Sequence, residues 1–353
     1  LNIKFLISKI FISYNITNSM GVRLGDLITK KDITFESLKN KKIAIDFSNM
    51  AFQILSSIRQ LDGTPLMDSK GRVTSVYVGI FSRITNLMLK GIKPVFIFDG
   101  KAPLLKIKTQ EERAYRKDVA LKKFEQAKQE ENIEDMYKYA KQTSRLTQEI
   151  VDESKLLLKA MGMPVIQAPS EADAQISFMC EKNDVDYVAS SDHDCLLYNC
   201  PRLITNLTVS QRKKLPSGST VKINPELIEL KEVLNNLGVN QDQLIVLSIL
   251  SGTDYNEGVP KIGPKTALKL VKQYKDFNKL FEEVKADFNW KQIYAIFKSM
   301  PVMKNYQLKF NIPNEKKIKE ILVEEHDFNE ERVEKSLNQL FKKSQEKSLD
   351  KWF

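Results

Sequence analysis

Short apolar runs rich in β-branched and aromatic residues recur along the chain, each closed by an acid. They are Lys42-Ile43-Ala44-Ile45-Asp46, Pro94-Val95-Phe96-Ile97-Phe98-Asp99 and Tyr187-Val188-Ala189-Ser190-Ser191-Asp192. Continuous apolar runs of this length predict strands covered on both faces. A fourth run, Met163-Pro164-Val165-Ile166, leads into Pro169-Ser170-Glu171-Ala172-Asp173. Between the runs the spacing predicts helices from Val76 to Leu89 and from Glu171 to Lys182. Strands alternating with helices predict an α/β fold with a mostly parallel central sheet covered by helices.

From Leu104 to Met161 there is no Gly or Pro, and Lys, Glu, Gln, Ala and Leu dominate, so the segment is helical. Its first part carries Lys106, Lys108, Arg113, Arg116, Lys117, Lys122 and Lys123 without a full apolar stripe. It is either a solvated helix face or an arm whose cations face phosphate. After Pro225 the pattern predicts short helices around Leu227 to Leu237 and Gln241 to Leu250, a Gly/Pro-rich turn, and a helix from Thr266 to Tyr274. In that turn Gly263 is expected to take φ > 0 between two helices, with Pro264 opening the second. The exposed N–H groups of that start, with Lys261 and Lys265, would hold a DNA phosphate without reading sequence. A plain helix corner explains the Gly and Pro but not the lysines.

Across 353 residues, hydrophobic side chains make up 42% and charged ones 28%, the balance of a folded globular chain. The formal net charge of +10 favours an acidic partner, nucleic acid being the commonest, although a solvated lysine surface gives the same number. Three cysteines (Cys180, Cys195, Cys200) and two histidines (His193, His326) exclude a disulfide framework and offer no paired C-x-x-C zinc spacing, and a reducing compartment is expected. No apolar run reaches the roughly 18 residues of a membrane span. Met20-Gly21 reads as a natural beginning, and residues 1–19 as an upstream extension from an alternative or misassigned start, in preference to a targeting segment.

Sites in open α/β sheets form beyond the carboxyl ends of the strands, where Asp46, Asp99 and Asp192 stand. Ser170 with Asp173 three residues later also fits a capping box, with Ser170 as N-cap and acids in the first turn. Asp192-His193-Asp194 and Asp254, in the turn-rich stretch, add further acids. Carboxylates brought together in a low-dielectric pocket call for compensating cations, and oxygen-only donors suit Mg²⁺ or Mn²⁺. His193, a lone histidine, is left out of the ligand set.

Met20-Gly21-Val22, Ile45-Asp46, Phe98-Asp99-Gly100, Ala168-Pro169-Ser170-Glu171-Ala172, Asp192-His193-Asp194-Cys195, Gly252-Thr253-Asp254-Tyr255 and Ile262-Gly263-Pro264-Lys265, in this order, resemble the flap endonuclease family of structure-specific 5′ nucleases, in its archaeal form. The resemblance implies a nuclease domain over 20–344, with a helical arch at 104–150 and a helix-hairpin-helix at 250–275. It implies two Mg²⁺ ions, with Mn²⁺ able to substitute, on Asp46, Asp99, Glu171, Asp173, Asp192, Asp194 and Asp254. Lys106 and Arg113 are then the catalytic cations at the scissile phosphate. Phe52, Arg116, Lys117, Gly258, Lys261, Gly263 and Lys265 contact DNA. The implied substrate is flapped or branched DNA, cut by a monomer in replication and repair, with 5′–3′ exonuclease activity alongside. The tail at 345–353 resembles a sliding-clamp-binding peptide through Leu349, Trp352 and Phe353. Localisation follows lineage, cytoplasmic and nucleoid-associated in an archaeon, nuclear in a eukaryote. Asp173 stands where the family has Glu, Phe52 where it has Tyr, and Glu346 where the tail motif has Gln. Two other readings remain: a related 5′ nuclease acting on repair bubbles or RNA, and a non-catalytic DNA-binding adaptor for the clamp.

Overall fold

The computed structural model describes residues 24–130, 132–208, 212–214 and 220–346. Met20-Gly21-Val22, the extension before them and the tail residues Leu349, Trp352 and Phe353 lie outside the described residues. The apolar runs form the strands expected of them: β2 (Lys42–Asp46), β3 (Lys93–Phe98), β4 (Val165–Gln167) and β5 (Tyr187–Ala189), joined by β6 (Arg202–Thr205). These five run parallel to one another. An antiparallel edge, β9 (Glu226–Glu229) and β1 (Lys31–Asp32), completes a seven-stranded sheet in the order β1-β9-β6-β5-β2-β3-β4. β7 (Arg212–Lys214) and β8 (Thr220–Lys222) form a separate antiparallel pair.

Successive strand residues point to opposite faces, and both faces are apolar because helices cover both. Ala44, Val95, Ile97 and Val188 face a core shared with α6 (Ala172–Glu181), α8 (Leu230–Leu237), α9 (Gln241–Ser251), α10 (Pro264–Gln273) and α12 (Trp290–Ser299). Ile43, Ile45, Phe96 and Phe98 face the other, built with α1 (Phe47–Ser57), α2 (Ser75–Leu89), α5 (Gln148–Ala160) and α14 (Glu330–Glu346). Phe47 and Phe98 stack at 4.1 Å in that second core. The remaining helices are α3 (Ile107–Gln129), α4 (Ile133–Ala140), α7 (Asp194–Leu197), α11 (Phe277–Glu283) and α13 (Glu315–Lys319).

One expected helix begins later than its pattern suggests. Glu226–Glu229 is a strand, with Leu227 opposite Ile204 and Ile228 opposite Leu203, so α8 starts only at Leu230. An open edge on β6 decides this, since pairing overrides a weak local helical preference. The Gly-free segment divides in a similar way. Among the described residues α3 and α4 add no side chain to either core, whereas α5 buries Ile150, Leu157 and Leu158 in the second. Arg59 donates to the carbonyl oxygen of Ala140 at 2.9 Å and ties the far foot of α4 to the body.

The C-terminal helices are anchored by a buried polar cluster. The His326 ring is enclosed, with Nδ1 3.0 Å from Asp68 Oδ2 and Nε2 3.0 Å from Glu153 Oε2. Arg72 Nε donates to the same Asp68 oxygen at 2.8 Å. Burial alone would raise the Asp68 carboxyl, but His326 and Arg72 hold it below the ordinary carboxylate range. Cys180, Cys195 and Cys200 are buried free thiols. Among the described residues no helix is long and apolar enough to cross a membrane.

Candidate active site

Because β2, β3, β4 and β5 run parallel, their carboxyl ends open on one edge of the sheet, and each delivers an acid there. Asp46 is the last residue of β2 and caps α1, its Oδ1 accepting from the Asn49 N–H at 3.2 Å. Asp99 follows β3 directly. Its Oδ2 accepts from Ser48 Oγ at 2.5 Å and its Oδ1 from the Ala172 N–H at 2.8 Å, so it joins the starts of α1 and α6. The β3 and β4 turns press together at Gly100, where a Cβ would lie 2.2 Å from the Ala168 carbonyl oxygen.

The start of α6 departs from the capping-box expectation. Glu171, not Ser170, is the N-cap residue, and its side chain makes no capping hydrogen bond. Ser170 Oγ instead donates to the Lys101 carbonyl oxygen at 2.9 Å. The β4 turn is too tightly held against the β3 turn for Ser170 to reach the helix. Glu171 and Asp173 are thereby free of any capping role. Asp173 accepts from the Cys195 thiol at 3.0 Å. Past β5, Asp192 Oδ1 accepts from the Asp194 N–H at 3.0 Å. Asp254 arrives from the turn after α9, which begins at Gly252.

Burial raises the carboxyl of Asp46 well above its ordinary range, and Asp99 and Asp173 add to the rise. Asp192 is raised the same way, by burial and then by Asp194 and Asp173. Asp173 is pushed up to about 8 by burial, with Asp194 and Asp99 adding to it. Asp254 goes the other way. Burial would raise it, but Lys106 and Arg113 hold it low. Lys106 Nζ contacts Glu171 Oε2 and lies 3.3 Å from Asp254 Oδ2, while Arg113 Nη2 is 2.5 Å from Asp254 Oδ1. Thr109 Oγ donates to the Asp254 carbonyl oxygen at 2.9 Å. The first turns of α3 are thus pinned to the acid edge by the two cations that the sequence singled out.

All seven acids therefore meet at one edge, linked by mutual repulsion, with protein cations on the Glu171 and Asp254 flank. Asp46, Asp173 and Asp192 accept from neutral donors. An all-oxygen donor set that cannot ionise fully without compensation fits hard divalent cations such as Mg²⁺ or Mn²⁺. Among the described residues, the trio whose ligand atoms all fall within 4.8 Å of one another is not in this cleft; it is Glu153, Glu325 and His326 in the C-terminal anchor. Both ring nitrogens of His326 already face carboxylates.

His193, between Asp192 and Asp194, belongs to the packing. Burial lowers it to about 4, so the ring is neutral, and it lies against Gly25. Phe52 on α1 receives Lys117 of α3, whose Nζ sits 4.9 Å from the ring centroid. Arg116 is exposed, 3.9 Å from Glu112. At the α9–α10 corner Lys261, Gly263 and Lys265 are exposed, and Pro264 occupies the first turn of α10 as expected. Gly263 does not take positive φ. It is the extended N-cap at φ −91°, and the left-handed positions are Gly258 (φ 83°) and Lys261 (φ 68°). Gly258 must lack a Cβ, which would fall 2.6 Å from the Gly252 nitrogen. The chain reverses before Gly263, so an N-cap conformation open to any residue suffices there.

Sequence reading missed the residues that hold the acids: Ser48, Asn49, Thr109 and Cys195. Ser48 and Asn49 had one signal, two adjacent polar residues directly after an acid that closes an apolar strand.

Two family models match the chain, the XPG N-terminal domain over residues 20–120 and the XPG I-region over 162–254. Flap endonuclease 1 of Staphylothermus marinus is 46% identical over 349 residues, spanning 95% of this chain and all of the relative. That of Pyrococcus abyssi is 45% identical over 339 residues, covering 95% of this chain and 98% of its own. The solved flap endonuclease-1 from Methanococcus jannaschii superposes with a TM-score of 0.73 at 42% identity, covering 91% of this chain and 98% of that one. The catalytic core of Rad2, solved in complex with DNA substrate, shares the fold at 22% identity and a TM-score of 0.66 over 90% of this chain and 97% of that one.

Proposed function

The chain belongs to the flap endonuclease family and is a 5′ flap endonuclease, and from that premise we propose that it cuts 5′-flap junctions in a Mg²⁺-dependent reaction at the acid edge. The reading is carried by seven carboxylates meeting at the carboxyl ends of parallel strands, with Lys106 and Arg113 as the cations facing them. Mg²⁺ ions held by Asp46, Asp99, Glu171, Asp173, Asp192, Asp194 and Asp254 would supply charge neutralisation and an activated water for phosphodiester displacement.

The chain's own residues do the rest. Lys106 and Arg113 pair with Glu171 and Asp254, and a phosphate entering the cleft competes for the same donors, bringing both cations onto the charge that develops there. Phe52 offers a ring face at the cleft, and Lys117, resting on that face, can turn to a phosphate without leaving α3. The exposed start of α10, with Lys261 and Lys265, grips the uncleaved duplex through its backbone phosphates. The basic α3–α4 segment forms the arch over the flap. The tail residues Leu349, Trp352 and Phe353 dock on a sliding clamp, a reading supported by sequence alone.

The test uses a labelled 5′-flap oligonucleotide with the wild-type chain and Asp192→Ala. Mg²⁺-dependent cleavage at the junction should vanish in the variant while flap binding in EDTA persists. Undiminished cleavage by the variant sinks the proposal. Bubble and RNA substrates in the same series report the breadth of the activity.

A further inference from the structure

Asn49 sits in the first turn of α1, 5% exposed, three residues after Asp46. Its backbone N–H donates to Asp46 Oδ1, while its side-chain Oδ1 accepts from three donors. These are the Ser191 N–H at 3.2 Å, Ser191 Oγ at 3.0 Å and Gln53 Nε2 at 2.7 Å. Gln53 is itself held by Thr208, whose Oγ donates to Gln53 Oε1 at 3.0 Å. A polar line therefore runs from Thr208, in the segment after β6, through two residues of α1, to the turn that carries Asp192 and Asp194.

That turn is also held from the β6 side. β5 ends at Ala189, and the backbone then leaves the sheet. The Ser190 N–H reaches the Ile204 carbonyl oxygen at 3.3 Å on the β6 side, and Ser190 Oγ takes the Asp192 N–H at 3.1 Å within the turn. Asn49 supplies the link to the helix capped by Asp46. The two bonds from Ser191 to Asn49 fix the Asp192 turn against α1, the helix that Asp46 caps.

We infer that Asn49 is a positioning residue which sets the separation between Asp46 and the Asp192–Asp194 pair, and through it the affinity of the site for divalent cations. The inference rests on the flap endonuclease reading of this site. Groups that orient metal-binding side chains typically contribute about 10- to 100-fold in metal affinity. Among the described residues, no hydrogen bond of Asn49 uses its amide N–H₂. Asn49→Asp keeps the acceptor that all three donors use, whereas Asn49→Ala removes it.

The experiment measures Mn²⁺ binding calorimetrically to the full chain stripped with EDTA. It pairs this with metal-free melting, flap-DNA binding in EDTA, and flap cleavage as a function of Mg²⁺ concentration. Asn49→Ala should bind Mn²⁺ roughly 10-fold or more weakly. Its cleavage should need correspondingly more Mg²⁺ and recover towards the wild-type rate at saturation, with EDTA-state flap affinity unchanged. Asn49→Asp keeps the acceptor and adds an anion beside Asp46, so it should bind Mn²⁺ at least as tightly as the wild type. A purely structural residue would shift melting without this metal-dependent recovery. Should Asn49→Ala fail to fold, Gln53→Ala carries the test, because it leaves Asn49 bonded to Ser191 but unbraced and should weaken Mn²⁺ binding by a smaller factor. Wild-type Mn²⁺ affinity in a folded Asn49→Ala, or in Gln53→Ala where that chain carries the test, overturns the inference alone, as does Asn49→Asp binding as weakly as Asn49→Ala. A wild-type chain that neither binds Mn²⁺ nor cleaves overturns the reading of the site as well.

Discussion

Asp173→Asn, with divalent metal removed, should make the protein more stable at alkaline pH even as it damages the active site. The Asp173 carboxyl is raised from its ordinary 3.8 to about 8, by burial first and by Asp194 and Asp99 after it, against the opposing pull of the Cys195 thiol and Lys106. A group whose folded pKa lies above its unfolded value favours folding while protonated. Its contribution is intact below about pH 4 and is lost as pH rises through about 8. The gap is about 4 units, and at about 1.4 kcal/mol per unit the ceiling on the cost of ionising Asp173 is about 6 kcal/mol. Part of this is relieved as the neighbouring acids move apart and water enters. For a chain of this size each kcal/mol moves Tm by roughly 2 °C, so several degrees should separate the two proteins. Asparagine cannot ionise and still accepts from Cys195. Differential scanning calorimetry in EDTA should find equal melting near pH 4 and a higher Tm for Asp173→Asn at about pH 8.5. Saturating Mg²⁺ should then raise the wild type more than the variant, because the ion binds the folded site. If the variant melts with or below the wild type at alkaline pH without metal, the repulsive picture of this cluster is wrong.

Other perturbations test other parts of the molecule. Lys106→Met should lower the cleavage rate by about 10²- to 10³-fold and raise the apparent pKa of Asp254, which Lys106 helps to hold low, readable by NMR titration of the metal-free protein. Gly100→Ala puts a methyl 2.2 Å from a carbonyl oxygen and must displace Asp99 from Glu171. A loss of about 1–3 kcal/mol in urea unfolding is expected, along with weaker metal binding. His193 is held neutral down to about 4 by burial, so its contribution is present above about pH 6.5 and is lost as pH falls towards 4. His193→Gln should flatten the acid limb of a Tm-versus-pH curve. His326→Ala leaves Asp68 and Glu153 facing each other without the ring between them. It should cost roughly 3–5 kcal/mol in denaturant unfolding while flap cleavage at low temperature is retained.

The alternation of apolar runs with helical patterns determined the parallel sheet, and a strand end followed at once by an acid marked Asp46, Asp99 and Asp192. Strand ends are legible because their chemistry is local, a hydrophobic run stopped by a charge. Ordered motifs added Glu171, Asp173, Asp194 and Asp254, and the structure brings all four to the same edge. Where local pattern and tertiary context disagreed, context prevailed. Leu227 and Ile228 became strand because β6 had an open edge. Ser170 gave up its cap because the β3 turn lay closer. Gly263 remained extended because Gly258 and Lys261 had already made the reversal. The braces on the acids, Ser48 to Asp99, Asn49 to Ser191 and Cys195 to Asp173, were invisible in the sequence. Each joins residues far apart along the chain, and a hydrogen bond across such a distance depends on how neighbouring strands and helices stack, which no local pattern encodes. The sequence alone determined which carboxylates line the site; only the packed sheet decided how far apart they stand, because that distance is set by contacts between segments that meet only on folding.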